Sequence, residues 1–161
     1  MRVIADASAL LALAACDGLH LLDALFQTVQ VPRAVLRECT VPGKPEAERL
    51  AGYLCDKVVE IDLAEFVIAA AGIGQGELEA MALYKRLKAD HLLIDDRRAR
   101  KVATFNGIAV IGSLGVLLLA KDKGLVPVIR PLIEAIQNAG IYLGEQLVAR
   151  ALQLADESYP T

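Results

Sequence analysis

Short apolar runs, rich in β-branched residues, alternate with Ala- and Leu-rich helical stretches, and this alternation restricts the possible folds more than any other feature. Five runs are strand candidates: residues 2–5, 28–31, 57–61, 91–94 and 108–111. Because these runs are predominantly apolar rather than alternating, both faces of each predicted strand should be buried. We therefore predict an α/β fold with a parallel sheet covered by helices on both faces.

Apolar residues at helical spacing predict the remaining elements. Between the strands, the predicted helices cover residues 19–26, 32–39, 45–55, 77–88 and 97–105. After the last strand, three more helices are predicted over residues 113–124, 127–140 and 144–157. With 161 residues and no polar linker, the chain is predicted to be one domain, residues 1–161, with a core of 1–125 and a helical extension of 126–161.

The composition argues against several classes of protein. With 17 basic and 20 acidic residues the net charge is −3, so the protein as a whole does not attract nucleic acid electrostatically. No apolar run approaches the roughly 18 residues that a membrane helix requires, and the start MRVIADAS does not follow the signal-peptide pattern. We expect a cytoplasmic protein that makes no contact with a membrane.

The cysteines and histidines predict no metal site. Cys16, Cys39, Cys55, His20 and His91 match no zinc-binding spacing. The odd number of cysteines, together with the lack of a signal-peptide pattern, predicts reduced thiols. We interpret all five residues as structural.

Two aspartates follow directly on predicted strands. Asp6 comes after the strand over 2–5, and Asp95 comes after the strand over 91–94. In an open parallel sheet, ligands bind beyond the carboxyl ends of the strands, where the strand order reverses. If these two strands are neighbours, the two carboxylates meet at that position.

Three glutamates are candidates for the same edge of the sheet. Glu38 lies about two turns into the helix after the second strand, and Glu77 and Glu79 begin the helix that leads into the fourth. Being two residues apart, Glu77 and Glu79 point in different directions, so only one of them can face the site. Carboxylates gathered in this way are the ligands that Mg²⁺ and Mn²⁺ prefer, and such a cluster suits phosphodiester hydrolysis.

Each acid taken singly also has a simpler explanation. Asp6, followed by Ser8, could cap a helix that begins at Ala9. Either Asp95 or Asp96 could cap the helix that carries the arginines, although one cap does not need two acids. Glutamates at the start of a helix also interact favourably with its dipole.

Four segments taken together resemble a PIN-domain protein. They are IADASALLALA, VPRAVLREC, GQGELEAMALYKRLKADHLLIDDRRARKVA and VIGSLGVLLLAKDKGLVPVIRPLIEAI. The resemblance covers nearly the whole chain and is greatest to the prokaryotic group that has a helical C-terminal extension and is related to VapC-type toxins. The most specific motifs are G-x-G-E-x-E-A, I-D-D-x-R-A-R and I-G-x-L-G.

The resemblance implies a Rossmann-like three-layer α/β/α sandwich and a nuclease site of acidic residues around Mg²⁺ or Mn²⁺. The first acid of the family falls on Asp6, with Ser8 as a supporting hydroxyl, and the second falls on Glu38. The last falls on Asp95, with Asp96 as a less constant neighbour.

The third acid falls on Glu77 or Glu79. Glu79 is followed by AMA, as the family pattern prefers, whereas Glu77 lies at the usual distance from the last acid. We favour Glu77 slightly and keep both.

The function that the resemblance implies is a metal-dependent ribonuclease, the toxin of a toxin–antitoxin pair, in which a metal-activated water cleaves RNA. Arg97, Arg98 and Arg100 are expected to contact the phosphate backbone, and a cognate antitoxin and a second copy of the chain are the expected protein partners. One alternative is a non-catalytic PIN-like module, for RNA binding or protein interaction, with vestigial acids. Another is a nuclease that acts on DNA.

Overall fold

The computed structural model describes residues 1–65, 68 and 72–158. Five parallel strands form one sheet: β1 (Arg2–Ala5), β2 (Thr28–Pro32), β3 (Val58–Val59), β4 (His91–Leu93) and β5 (Val110–Ile111). Their order is β3-β2-β1-β4-β5, which confirms the predicted parallel sheet.

The strand order reverses between β1 and β4. From β1 the chain builds outward through β2 to β3, and it then returns to place β4 on the other side of β1. The pairing of Ala5 with Leu93 brings the carboxyl ends of these two strands side by side. This is the position at which an open parallel sheet binds ligands.

The two outer strands are shorter than the sequence predicted. β3 pairs over two residues instead of the five of 57–61, and β5 over two instead of the four of 108–111. Both lie at the edges of the sheet, where a strand has a neighbour on one side only. The polar Lys57 and Glu60 also flank the two valines of β3.

The helices lie between and after the strands as predicted, with small shifts at their ends. Within the described residues they are α1 (Ala7–Ala15), α2 (Leu19–Leu25), α3 (Arg33–Cys39), α4 (Ala47–Leu54), α5 (Gln75–Leu87), α6 (Arg97–Phe105), α7 (Ser113–Asp122), α8 (Arg130–Asn138) and α9 (Glu145–Leu154), with a 3₁₀ turn at Leu63–Glu65. α1 begins at Ala7, two residues before Ala9, because Asp6 itself is the N-cap. Together the sheet and helices form a three-layer α/β/α sandwich, as the resemblance implies.

The core is centred on β1. Val3, Ile4 and Ala5 have no exposed surface, as expected of a central parallel strand with helices on both faces. Leu10 and Leu13 of α1 are likewise fully buried. No single helix of the described residues has the length and apolar composition to span a membrane; α1 and α2 meet these criteria only as a pair, bent by 112°.

The three cysteines are unpaired. Cys16 and Cys39 are buried, and Cys55 is exposed. Burial raises the pKa of the Cys16 thiol to about 11 and that of Cys39 to about 12, so both thiols are protonated at neutral pH.

Glu157, near the end of the described residues, is hydrogen-bonded to the start of α8. Its carboxylate accepts hydrogen bonds from the backbone N–H of Ile129 (2.9 Å) and of Arg130 (3.0 Å), and from Lys121 Nζ (3.0 Å). Lys121, on α7, also donates to the carbonyl of Ala155. Burial raises the pKa of Glu157, but these hydrogen bonds outweigh burial and leave the pKa below its ordinary value.

We predict that Glu157→Ala lowers the free energy of unfolding at pH 7 by about 1–3 kcal/mol, because buried backbone donors and Lys121 lose their acceptor. Since the pKa of Glu157 is lowered in the fold, its contribution is complete at neutral pH and is lost as the pH falls below the ordinary carboxyl value of 4.5. Urea unfolding at pH 7 and pH 3.5 measures both effects. Glu134→Ala, at an exposed position of α8, is the control. Equal unfolding free energies for the two variants at pH 7 would contradict this role.

Candidate active site

Asp6 is a buried acid at the carboxyl end of β1. Its backbone N–H donates to Leu93 O (2.8 Å), which continues the pairing of β1 with β4. Its side chain is only 2% exposed. Oδ2 accepts hydrogen bonds from the backbone N–H (3.2 Å) and the hydroxyl (2.9 Å) of Ser8, whereas the buried Oδ1 has no hydrogen-bond partner among the described residues.

Ser8 links Asp6 to Asp95. Its hydroxyl donates to Asp6 and accepts from the backbone N–H of Asp95 (2.9 Å) and, at longer range, of Asp96 (3.4 Å). One hydroxyl thus holds the ends of β1 and β4 at a fixed separation. The supporting role that the resemblance implies for Ser8 stays a prediction, and these hydrogen bonds are compatible with it.

Asp95 and Asp96 have different environments, which explains why the strand ends in two acids. The Asp96 carboxylate caps α6 by accepting from Ala99 N (2.8 Å). Asp95 instead accepts from Ser113 at the start of α7: Oδ1 from the backbone N–H (2.7 Å) and Oδ2 from the hydroxyl (2.6 Å).

Ser113 is a site residue that the sequence predictions missed. It is fully buried, and its two donors both serve Asp95. The available signal was its position, a polar residue that opens a helix two residues after the end of the predicted strand over 108–111.

Glu38 reaches the site from the last turn of α3. Its Oε1 accepts from the backbone N–H of Gly76 (3.1 Å), in the first turn of α5. A Cβ at position 76 would lie 2.1 Å from that oxygen, so the close approach requires glycine. Burial raises the pKa of Glu38, and the negative charge of Glu77 adds to the rise.

The charge of Glu77 affects Asp6 and Glu38 more strongly than the charge of Glu79 does. The charge of Glu77 raises the pKa of both Asp6 and Glu38, whereas that of Glu79 is the smallest of the influences on Glu38. Glu77 accepts from the backbone N–H of Gly74 and so caps its own helix. Glu79 accepts from the Gln75 side chain (2.7 Å).

The three arginines of α6 differ in exposure. Arg97 and Arg98 are exposed, and the guanidinium of Arg98 packs so closely on Gly72 that a Cβ there would lie 2.8 Å from Arg98 Cζ. Arg100 is half-buried and donates to Ile94 O (3.3 Å) beside Asp95. Arg97 and Arg98 are therefore more accessible to solvent than Arg100, and phosphate contacts by the three arginines stay a prediction.

The sequence of the chain matches a known family. A family model described as the PIN domain matches residues 2–157. The chain belongs to the PIN-domain family. No curated protein and no solved structure matches it. PIN domains are generally nucleases and typically use divalent metal ions.

The acids of this PIN domain are at one edge of the sheet but held apart. Across residues 1–65, 68 and 72–158, no three Asp, Glu, His or Cys side chains lie close enough to hold a metal ion together. Asp6, Glu38, Glu77 and Asp95 each accept a backbone hydrogen bond at the start of a helix instead. The donor set nevertheless fits a hard divalent cation, because it consists of oxygens and includes a buried carboxylate oxygen without a partner.

Asp6 carries an electrostatic strain that a cation would relieve. Burial raises its pKa from 3.8 to about 6; the hydrogen bonds from Ser8 oppose the rise, and the charge of Glu77 adds to it. In the metal-free protein, between about pH 4 and pH 6, the Asp6 carboxyl is therefore protonated in the folded state and ionised in the unfolded state. The contribution of Asp6 to the free energy of unfolding is complete below pH 4 and is lost as the pH rises through 6.

We predict that Asp6→Asn stabilises the metal-free PIN domain at pH 7.5 by about 1–3 kcal/mol, since it removes a buried carboxylate whose pKa is raised to about 6. The gain should shrink as the pH falls and vanish near pH 4. Urea unfolding in EDTA over this range measures it. Asp96→Asn is the control, because Asn caps a helix as well as Asp does. A loss of stability in Asp6→Asn at pH 7.5 would show that the carboxylate is not strained.

Proposed function

We propose that this PIN domain is a metal-dependent ribonuclease that hydrolyses RNA phosphodiester bonds. The observation that carries the proposal is the buried, unpartnered Oδ1 of Asp6 at the strand-order reversal. Leaving such an oxygen without a donor is unfavourable, so its retention here points to a cationic ligand. Membership of a nuclease family supports the same conclusion.

Asp6, Glu38, Glu77 and Asp95 would hold Mg²⁺ or Mn²⁺, with Glu79 as the alternative third acid. When bound, the ion supplies a Lewis acid that promotes attack of water on phosphorus and offsets charge on the leaving oxygen. Ser8 keeps Asp6 and the Asp95 backbone together, and Asp96 fixes the start of α6.

The RNA would lie along the exposed start of α6. Arg97 and Arg98 are exposed within two residues of Asp96, which caps that helix. Guanidinium groups bind phosphates of any sequence, so these contacts would set the position of the strand rather than read its bases. Arg100, directed at Ile94 O, would support the site from behind instead.

The biological role that we propose is that of a toxin controlled by a cognate antitoxin. It follows from the resemblance of the motifs to VapC-type proteins. Exposed apolar side chains, among them Phe105, Tyr142 and Leu147, provide surface for that partner or for a second copy of the chain.

The test is RNA cleavage by purified protein with Mn²⁺ or Mg²⁺, comparing wild type with Asp6→Asn and Asp95→Asn. Both substitutions should reduce cleavage to the level seen in EDTA, because each removes a charged ligand while keeping the side-chain shape. Asp122→Asn, at an exposed position at the end of α7, should cleave like wild type. Wild-type rates from either site variant would refute the proposed site. RNA binding by the wild type without metal-dependent cleavage would support a non-catalytic module.

Gly76→Ala is expected to disturb the site without destabilising the fold. Alanine is favoured over glycine in a helix by roughly 1 kcal/mol, so the fold should be retained. The new methyl would nevertheless collide with Glu38, whose flexible side chain must then give up its present position and its hydrogen bond to the Gly76 N–H. We expect weaker Mn²⁺-dependent cleavage with an unfolding midpoint no lower than that of the wild type.

Gly52→Ala is the matched control for this experiment. It is also a helical glycine, but nothing lies within 4 Å of its added Cβ. Cleavage by Gly76→Ala equal to that by Gly52→Ala would show that the contact between Glu38 and Gly76 is irrelevant to activity.

A further inference from the structure

We infer that Ser113 is a positioning residue for Asp95, holding its carboxylate in a fixed orientation at the proposed metal-binding site. The inference rests on the proposed function and adds to it a residue outside the acid set. Ser113 is fully buried and directs both of its donors at Asp95, so its part is to orient that carboxylate and not to react.

Ser113 contacts both oxygens of the Asp95 carboxylate. Its backbone N–H donates to Oδ1 (2.7 Å) and its hydroxyl to Oδ2 (2.6 Å). A single donor would leave the carboxylate free to rotate about the Cβ–Cγ bond, whereas two donors on one residue fix the carboxylate plane. Since a carboxylate offers about four lone-pair sites, each oxygen keeps capacity for a further ligand.

The absence of a side chain at Gly112 makes room for the contact between Ser113 and Asp95. A Cβ at position 112 would lie 2.9 Å from Asp95 Oδ1 and 2.6 Å from Arg100 Nη1. The φ of Gly112 is −98°, which any residue adopts, so the glycine is required for space and not for conformation. Its missing side chain is what lets Asp95 and Arg100 approach the start of α7.

α7 gives Ser113 a rigid support. Ser113 is fully buried, and so are Val116, Leu117 and Ala120 further along the helix. Near its other end, Lys121 donates to Glu157 and to the carbonyl of Ala155. A residue so anchored can impose its geometry on Asp95, as residues that support metal ligands generally do.

The experiment is Mn²⁺ titration calorimetry on the full chain with a set of variants at position 113. Ser113→Ala removes the hydroxyl, and we expect binding about 10- to 100-fold weaker than that of wild type, the usual effect of losing a group that orients a ligand. Ser113→Thr and Ser113→Val add the same volume at this buried position and differ only in the hydroxyl. Thr should bind much more tightly than Val. Thr104→Ala, on the exposed face of α6, is the hydroxyl-loss control and should bind like wild type.

The outcomes separate this inference from the function on which it rests. If wild type binds Mn²⁺ and Asp95→Asn does not, but the Ala and Val variants bind like wild type, the role of Ser113 is refuted and the proposed function stands. Equal weakening by Thr and Val would attribute the effect to packing and would also refute it. If Ser113→Ala fails to fold, the comparison of Thr with Val still decides. An absence of Mn²⁺ binding by wild type would overturn the proposed function and this inference together.

Discussion

The structure depends on how negative charge is accommodated at the carboxyl edge of the sheet. Asp6 caps α1, and Asp96 caps α6. Glu38 accepts a hydrogen bond from the first turn of α5, and Glu77 accepts one from the N-cap of the same helix. Asp95 accepts from the first residue of α7. Each acid is thus paired with the positive end of a helix dipole and with backbone donors that have no partner within the helix. This arrangement allows carboxylates to gather at one edge while remaining apart from one another.

One carboxylate oxygen at this edge, Oδ1 of Asp6, accepts no hydrogen bond from the described residues, and it relates the stability of the fold to the proposed function. Asp6 Oδ1 is buried and has no partner among the described residues, and burial raises the pKa of the Asp6 carboxyl to about 6. A protein under selection for stability alone would replace such a group with a neutral one. The retained strain is explained if the carboxylate serves a cation, since active sites concentrate groups of this kind.

The sequence predicted the parts of the structure that local patterns determine. The apolar runs at 2–5 and 91–94 predict the two strands and place Asp6 and Asp95 at their ends, whereas the pairing of β1 with β4 depends on the whole sheet. Other features depend on tertiary contacts. Ser113 was missed because only the packing of α7 brings it to Asp95. The inward direction of Arg100 depends likewise on the space above Gly112.

The central claim is that a divalent cation binds where β1 and β4 end. The most direct test is anomalous diffraction from crystals grown with Mn²⁺, because it locates the ion without any knowledge of the RNA substrate. We predict a peak within coordination distance of Asp6 Oδ1 and of the Asp95 carboxylate, with the Glu38 side chain turned toward it. Crystals at saturating Mn²⁺ with no peak beside Asp6, or with a peak only elsewhere on the protein, would contradict the claim.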